Sequence, residues 1–255
     1  MSKIDLRQGD CLELMKDIPD GSVDAIITDP PYGTTACKWD SVIDFELMWE
    51  QLNRIIKPNG AIVLFGTEPF SSALRLSNIK NFRYDIVWEK PNNTNFMRLK
   101  REIGKRHEMI SVFYKKQPTY NPQMKEGKPY KDKRTNRKSW EGVNNQSTKI
   151  PIDNSGTRYP SSVQKFCNVN KNTLHPTQKP VALLEYLIKT YTNENETVLD
   201  FTMGSGSTMV ACVNTKRKGI GIELDETYYK LAKKRVEEKI KEKDNEAPTL
   251  FGEQN

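Results

Sequence analysis

The most constraining stretch of this chain is an apolar run that ends in an acid, two prolines and a tyrosine. Val23–Thr28 has the composition of a strand buried in a parallel sheet, and Asp29, Pro30, Pro31 and Tyr32 follow directly. In open α/β sheets, ligands bind where the strands end. The two prolines stiffen the turn, so it can hold a carboxylate, a carbonyl and an aromatic ring in fixed relation. This set suits a flat ligand with an amino group, although an ordinary strand-to-loop turn is the alternative.

A second strand and turn lie near the other end of the chain. Residues 198–208 form a short apolar run, a turn with Gly204 and Gly206, and the start of a helix. Glycines let the backbone turn tightly and let a ligand approach closely. Residues 219–224 form another short strand with Glu223 near its end, where an acid typically holds ribose hydroxyls. The third glycine of a dinucleotide fingerprint is missing, so the order of strand, turn and acid is the stronger signal.

Together these segments resemble the amino-methyltransferases of DNA, which methylate exocyclic nitrogens. Residues 29–32 match the catalytic motif of that family, and residues 200–208 match its S-adenosylmethionine loop. The family usually has proline where Thr202 or Met203 stands. Residues 175–180 match a third signature, just before the cofactor half. The order, with the catalytic motif first and the cofactor loop last, is similar to the beta arrangement of the family.

The resemblance implies a circularly permuted, Rossmann-like α/β fold. We expect a mostly parallel sheet of about seven strands with helices on both faces. The catalytic half is predicted in residues 1–114 and the cofactor half in residues 173–242. A basic target-recognition insertion is predicted between them, in residues 115–172, and a flexible tail in residues 243–255.

Local patterns predict several helix boundaries. Apolar residues at helical spacing predict a helix that Asp44 caps and that includes Ile56, with residues 57–60 ending it. Asp225 is predicted to cap a last long helix that reaches about Lys241.

The resemblance also implies the reaction and its residues. The methyl group of S-adenosylmethionine would pass to the N6 amino group of an adenine flipped out of double-stranded DNA, with Asp29, Pro30, Pro31 and Tyr32 as catalytic residues. Cofactor contacts are predicted at the strand ends and motifs: Asp10, Cys11, Asp29, His175, Thr177, Lys179, Asp200, Phe201, Gly204, Gly206, Ser207, Thr208, Glu223 and Leu224.

Individual roles are predicted for several of these cofactor residues. Asp10 would bond the adenine amino group of the cofactor, with a helix cap as a compatible alternative. Glu223 would hold the ribose hydroxyls, and Lys179 would bind the cofactor's carboxylate. For His175, a buried structural role is favoured slightly over a contact with the cofactor.

Positive charge is concentrated in one segment of the chain. The net charge is +7 and the isoelectric point about 9.1, which favours an anionic partner. Residues 115–171 contain thirteen Lys or Arg against four Asp or Glu, a net of +9 that leaves −2 for the rest. Contacts with DNA are predicted for Lys38, Trp39, Lys131, Lys133, Arg134, Arg137, Lys138 and Arg158. A basic loop between predicted strands at residues 82–88 and 109–114 is typical of a solvated face, but it could also touch phosphates. A disordered, solvated segment is the alternative for residues 115–171.

Three rival functions stay open. N4-cytosine methylation has the same geometry, although in the family an acid at the position of Asp29 goes with adenine and serine goes with cytosine. RNA methylation and a non-catalytic DNA-binding protein that kept the fold are the others. The resemblance also implies a homodimer.

The cysteines and the hydropathy indicate the setting. Cys11, Cys37, Cys167 and Cys212 are scattered without a CxxC pair, which favours free thiols in a reducing cytoplasm over a zinc site or disulfide framework. No metal is expected. The polar N-terminus has no signal-peptide pattern, and no run approaches the roughly 18 apolar residues of a membrane span. We therefore expect a cytoplasmic protein of a bacterial or phage-infected cell.

Overall fold

The computed structural model describes residues 3–33, 41–132, 152–167 and 178–246. It divides the chain into two compact units, a small one of residues 122–161 and a large one that contains the rest. The small unit is narrower than the predicted insertion, because residues 115–121 and 162–167 belong to the large unit. Within the described residues, no helix is both long and apolar enough to cross a membrane.

Strands and helices alternate up to Glu89 and again from Val163 onward. The strands are β1 (Ile4–Gln8), β2 (Val23–Thr28), β3 (Ile56–Gly66), β4 (Phe82–Glu89), β5 (His107–Phe113), β6 (Lys125–Glu126), β7 (Tyr130–Asp132), β8 (Ile152–Asn154), β9 (Thr157–Arg158), β10 (Val163–Lys165), β11 (Thr197–Asp200) and β12 (Lys218–Glu223). The helices are α1 (Cys11–Leu14), α2 (Phe45–Ile55), α3 (Phe70–Ser77), α4 (Val181–Tyr191), α5 (Ser207–Asn214) and α6 (Glu226–Glu246). Short 3₁₀ turns occupy Met15–Asp17 and Phe96–Arg98.

Eight strands of the large unit form one sheet in the order β1-β12-β11-β2-β3-β5-β4-β10. The two pairings that involve β5 are antiparallel and the other five are parallel, which confirms the mostly parallel sheet. The sheet has one strand more than the seven predicted. The additional strand is β10, which comes from the predicted insertion and pairs with β4 at the edge.

The core lies on both faces of this sheet. One buried cluster joins the strands to α4, α5 and α6 through residues such as Leu187, Met209 and Ala232. The other joins them to α2 and α3 through residues such as Leu52 and Leu74. The central strands are buried on both sides, which is why β2 has the apolar run of residues 25–27 and β11 has Val198 and Leu199 in succession.

Local boundaries follow the predictions with two corrections. The Asp44 carboxylate accepts the Leu47 N–H at 3.0 Å and caps α2 as predicted, and Asp225 accepts the Thr227 N–H at 2.8 Å at the start of α6. Helix α2 ends at Ile55, and residues 57–60 lie within β3 as an irregular stretch where its register with β2 shifts. Helix α6 runs to Glu246, so the predicted loose tail from residue 243 is wrong for its first four residues.

The strand order places a ligand crevice between β2 and β11. The chain leaves β11 through α5 towards β12 on one side, and leaves β2 through α2 towards β3 on the other. The carboxyl ends of two adjacent parallel strands whose connections diverge in this way form the crevice in which open α/β sheets bind ligands. The predicted catalytic turn and the predicted cofactor loop therefore begin side by side.

The small unit contains two antiparallel two-stranded sheets, β6 with β9 and β7 with β8. Within it, the Arg158 guanidinium lies 4.7 Å from the centroid of the Tyr130 ring and donates to the Thr157 carbonyl at 2.9 Å. Lys131 is exposed on β7. The other predicted DNA contacts, Lys38, Trp39, Lys133, Arg134, Arg137 and Lys138, lie outside the described residues.

Candidate active site

A cavity of about 280 Å³ opens at the carboxyl edge of β2 and β11. Its walls come from the turn after β1, the turn after β2, the loop after β11 and the end of β12. Apolar side chains such as Phe65 and Leu184 line it together with several carboxylates. A pocket with mostly apolar walls and a few convergent polar groups is typical of a cofactor site.

Both carboxylate oxygens of Asp29 are engaged at the corner of this cavity that residues 29–32 form. One accepts a hydrogen bond from the Tyr32 hydroxyl and the other accepts one from the Lys179 ammonium. The Tyr32 ring packs against Phe70 with 4.9 Å between ring centroids, and the Asp29 carbonyl accepts a bond from the Thr202 hydroxyl at 3.1 Å. Each carboxylate oxygen has a second lone pair, so Asp29 retains capacity to accept an amino hydrogen from a ligand.

A line of alternating charges extends from Asp29 into the sheet. Lys179, whose side chain is only 8% exposed, also lies 3.3 Å from a carboxylate oxygen of Glu108 on β5. Glu108 in turn pairs with Lys90, which follows β4. The four groups balance in charge, which reduces the cost of burying them.

The buried charges shift the pKa values of this group. Burial raises the pKa of Asp29, and the Lys179 ammonium opposes that rise. Burial alone would lower the pKa of Lys179, but the carboxylates of Asp29 and Glu108 outweigh it and hold that pKa above its usual range. Burial alone would likewise raise the pKa of Glu108, but the two lysines hold it below its usual range. Lys179 is therefore a stable cation beside the acid of the catalytic turn.

Asp200 connects the catalytic strand to the cofactor loop. Its carboxylate accepts the Thr28 hydroxyl at 2.6 Å from the end of β2, and it also accepts the Thr208 hydroxyl from α5. Burial raises the pKa of Asp200 to about 6, against the lowering effect of these hydrogen bonds. The acid at the head of the predicted cofactor loop thus holds the two halves of the site together.

Glu223, at the end of β12, faces the opposite side of the cavity. Its carboxylate accepts the Gly204 N–H at 2.8 Å and the Asp225 N–H at 2.9 Å, so it fixes the shape of the glycine loop. Gly204 has a φ of +52°, a left-handed conformation that favours glycine. Burial raises the pKa of Glu223. The remaining lone pairs of this carboxylate suit hydroxyl donors of a ligand.

Asp10 caps a helix at the wall of the cavity. It caps α1 by accepting the Leu12 N–H at 2.7 Å, and it also lines the cavity. Burial and the neighbouring Asp10 charge raise the pKa of the adjacent Cys11 to about 12, which keeps that thiol protonated at neutral pH.

The structure brings most predicted cofactor residues to one cavity. Those that line it are Asp10, Cys11, Asp29, Lys179, Asp200, Phe201, Gly204, Ser207, Thr208, Glu223 and Leu224. Gly206 does not line it. A Cβ there would lie 3.0 Å from the Ala232 Cβ, so this glycine allows α6 to pack against the loop. His175 and Thr177 lie outside the described residues.

Sequence reasoning missed the buried pair of Glu108 with Lys90, because Lys90 was counted with the basic loop that could touch phosphates. It also missed the contact between Thr28 and Asp200. Glu108 stands in a strand that is otherwise mostly apolar, and such a charge in a buried strand is a signal that it has a partner. Within the parts of the chain that the structure describes, no group of three or more His, Cys, Asp or Glu side chains is placed to hold a metal ion.

Comparison with known proteins identifies the family. A family model described as DNA methylase, of the N6 and N4 type, matches residues 23–234. The chain belongs to this family. Type II methyltransferase M.HpaI of Haemophilus parainfluenzae is 31% identical over 238 residues, which cover 89% of this chain and 72% of that protein. DNA adenine methyltransferase YhdJ of Escherichia coli strain K12 is 30% identical over 250 residues, which cover 90% of this chain and 81% of that protein.

The solved structure of a relative supports S-adenosylmethionine as the cofactor. The crystal structure of the M1.HpyAVI–SAM complex superposes with a TM-score of 0.61 and 29% sequence identity, covering 91% of this chain and 99% of that one. The present chain, as a member of this family, is therefore a DNA methyltransferase that uses S-adenosylmethionine. The donor set of the cavity fits that cofactor, because Glu223 offers acceptors for hydroxyl groups, and the cavity carboxylates suit a ligand with a positive sulfonium.

Proposed function

We propose that this methyltransferase methylates the N6 amino group of adenine in double-stranded DNA. The observation that carries the proposal is the Asp29 carboxylate, held by Tyr32 and Lys179 at the wall of the cofactor cavity. Asp29 and the carbonyl of Pro30 are two acceptors for the two hydrogens of an exocyclic amine. The adenine relative and the acid at the first motif position favour adenine over cytosine.

The residues of the catalytic turn would activate the amine. The N6 lone pair of adenine is delocalised into the ring, so the amine is a weak nucleophile. If Asp29 and the Pro30 carbonyl each accept one N6 hydrogen, the lone pair is drawn out of conjugation. Positive charge then develops on N6 during transfer, and the Asp29 carboxylate stabilises it electrostatically. The proton can leave to solvent after transfer, so Asp29 need not be a strong base.

Bound S-adenosylmethionine supplies an electrophilic methyl group on a positively charged sulfur. Glu223 would accept hydrogen bonds from ribose hydroxyls, and Asp10 would accept one from the adenine amino group of the cofactor. We assign Lys179 to Asp29 instead of to the cofactor's carboxylate, because its ammonium contacts Asp29 and Glu108. Tyr32 would stack on the flipped base and offset part of an unstacking cost of a few kcal/mol.

N4-cytosine methylation is the second candidate, since cytosine N4 is also an exocyclic amine conjugated to a ring. Two acceptors at the catalytic corner serve either amine, and the matching family model covers both. The identity of the base is therefore the point that an experiment has to decide.

Sequencing with modified-base detection would test the proposal on DNA from a methylation-free host that expresses this chain. We expect N6-methyladenine at one short motif, and none from a host expressing the Asp29→Ala variant. N4-methylcytosine at a motif would overturn the adenine assignment while leaving DNA methylation intact. Absence of any modified base from a chain that binds S-adenosylmethionine in calorimetry would contradict DNA methylation itself.

A further inference from the structure

The loop between β4 and β5, residues 90–106, projects from the edge of the sheet that carries the cavity. β4 pairs antiparallel with β5, and β5 pairs antiparallel with β3, so β4 runs in the direction of β3 and of β2. The carboxyl ends of β2 and β4 therefore lie at the same edge. The loop after β4 and the catalytic turn after β2 face the same side of the protein.

This loop is braced by its own hydrogen bonds. The Lys90 N–H donates to the Arg106 carbonyl at 2.7 Å, and the Thr94 N–H donates to the Lys105 carbonyl at 2.8 Å. The Asn95 side chain spans the tip, because it accepts the Lys105 N–H at 2.7 Å and donates to the Ile103 carbonyl at 3.0 Å. These hydrogen bonds give the tip a defined conformation.

Large apolar side chains point outward from this braced tip. Met97 is 85% exposed and Ile103 is 93% exposed, and Phe96 and Leu99 are also exposed. Four exposed large apolar residues therefore lie within eight positions of the loop. An exposed apolar cluster of this kind marks a surface that meets a partner.

The charge around this apolar tip identifies the partner. Residues 90–106 contain six Lys or Arg against one Asp or Glu, which is a net charge of +5. Arg98, Lys100 and Arg101 lie between the apolar residues along the loop. Cations that surround an apolar tip suit a polyanion with an apolar interior, which is the chemistry of a DNA duplex with its phosphates outside and stacked bases inside.

The base of the loop is connected to the catalytic acid. Lys90 pairs with Glu108, Glu108 lies beside Lys179, and Lys179 bonds Asp29. The Lys105 ammonium donates to the Thr67 hydroxyl just after β3. Both ends of the loop are therefore tied to elements of the sheet that position the catalytic corner.

We propose that the tip of this loop is a wedge that enters the DNA duplex beside the target base. Met97 and Ile103 would occupy the space between base pairs that opens when the target base is flipped out, while Arg98, Lys100 and Arg101 hold the flanking phosphates. Apolar wedges of this type offset the cost of unstacking. The inference rests on DNA methylation and does not depend on which base is methylated.

The test compares a Met97→Ser/Ile103→Ser variant with the wild-type chain on two duplexes. Both carry the motif that is methylated in vivo, one with the target base paired and one with it opposite an abasic site. We expect kcat/KM of the variant to fall about tenfold on the paired duplex. On the abasic duplex kcat/KM should fall by no more than about twofold, since the target base is already unpaired there. Leu76→Ser/Ile79→Ser, at residues 72% and 61% exposed away from the loop, is the matched control.

Cofactor binding by calorimetry shows whether each variant is folded, and all the altered side chains are exposed. Equal losses on the two duplexes, or no loss on the paired one, would overturn the wedge. Loss of a dimer from the variant in sedimentation would assign the tip to a protein interface instead and also overturn it. Failure of the wild-type chain to methylate the paired duplex would contradict the underlying reaction, which is a different outcome from failure of the wedge.

A second variant tests the phosphate contacts. Replacing Arg98, Lys100 and Arg101 by Gln should lower the slope of log Kd against log salt by about 2 to 3, since each phosphate contact contributes about 0.9. An unchanged slope would contradict the proposed phosphate contacts of the loop.

Discussion

Lys179 donates a hydrogen bond to Asp29, although 150 residues separate the two along the chain. The cation comes from the third sequence motif and the acid from the first. This contact means that the segment just before the cofactor half contributes directly to the electrostatics of the catalytic turn.

Removal of the Asp29 carboxylate should abolish methyl transfer. Asp29→Ala removes the group that would accept an N6 hydrogen. It also removes the negative charge that would stabilise the positive charge developing on N6. We expect turnover to be lost while cofactor affinity, measured by calorimetry, largely remains. Asp44→Ala, which removes the cap of α2 at a cost of about 1 kcal/mol, is the control that should keep its turnover. Full turnover in Asp29→Ala would refute the catalytic role.

Lys179 should determine the pH at which kcat/KM falls on the acid side of its pH profile. Burial raises the pKa of Asp29, and Lys179 opposes that rise, while Glu108 and the Tyr32 hydroxyl are the other groups that face it. In Lys179→Gln the opposing charge is absent, so Asp29 should protonate at higher pH and the acid limb of kcat/KM should move upward. Lys179→Arg should restore the limb.

The control for this experiment is Lys165→Gln on the edge strand β10, where the lysine pairs with Glu89. Its acid limb should coincide with that of the wild-type chain. A limb that stays in place in Lys179→Gln would show that Lys179 does not influence the charge of Asp29.

Glu223 should contribute mainly to cofactor binding. Glu223→Gln removes the charge that would accept the ribose hydroxyls and that holds the Gly204 N–H. Hydrogen bonds to charged groups contribute about 1.5–3 kcal/mol, so the cofactor Kd should rise by about ten- to a hundredfold. Glu226→Gln, where the acid pairs with Lys230 on the exposed side of α6, should bind normally. Unchanged affinity in Glu223→Gln would contradict the assignment.

Asp200 should make stability depend on pH in a defined direction. Burial raises the pKa of Asp200 to about 6, above the ordinary value of the unfolded chain, so the folded state binds this proton more tightly. Its contribution to stability is full below about pH 4 and is lost as the pH rises through about 6. In Asp200→Asn that dependence is absent. The unfolding free energy of the wild-type chain relative to the variant should therefore fall by roughly 1 kcal/mol between about pH 5 and pH 7.5.

Urea unfolding of both chains at the two pH values measures this difference. Asp225→Asn, in which Asn can still cap a helix, gives the baseline for such an exchange outside the cavity. A constant difference between wild type and Asp200→Asn would show that Asp200 does not carry a raised pKa.

Much of the fold was available from local sequence. The apolar composition of Val23–Thr28 predicted a buried parallel strand, and Asp44 and Asp225 predicted two helix starts. These features depend on neighbouring residues alone. The limits of residues 57–60 were missed because Ile56 packs into the core as the first residue of β3, a contact outside the local pattern. The last turn of α6 was missed because its residues are polar, with residues 243–245 exposed, and so carry no apolar periodicity.

The sequence by itself determined the motifs, their order and the cluster of carboxylates at strand ends, since residue type and spacing are sufficient for these. The tertiary structure decided which groups meet. It placed Thr28 against Asp200, and it placed Lys179 against Asp29. Glu108 had no predicted role, and Lys90 had been counted only among the cations of the basic loop that could touch phosphates. Buried ion pairs and parallel strand pairing join residues far apart in the chain, so they depend on the sheet order that the whole fold creates.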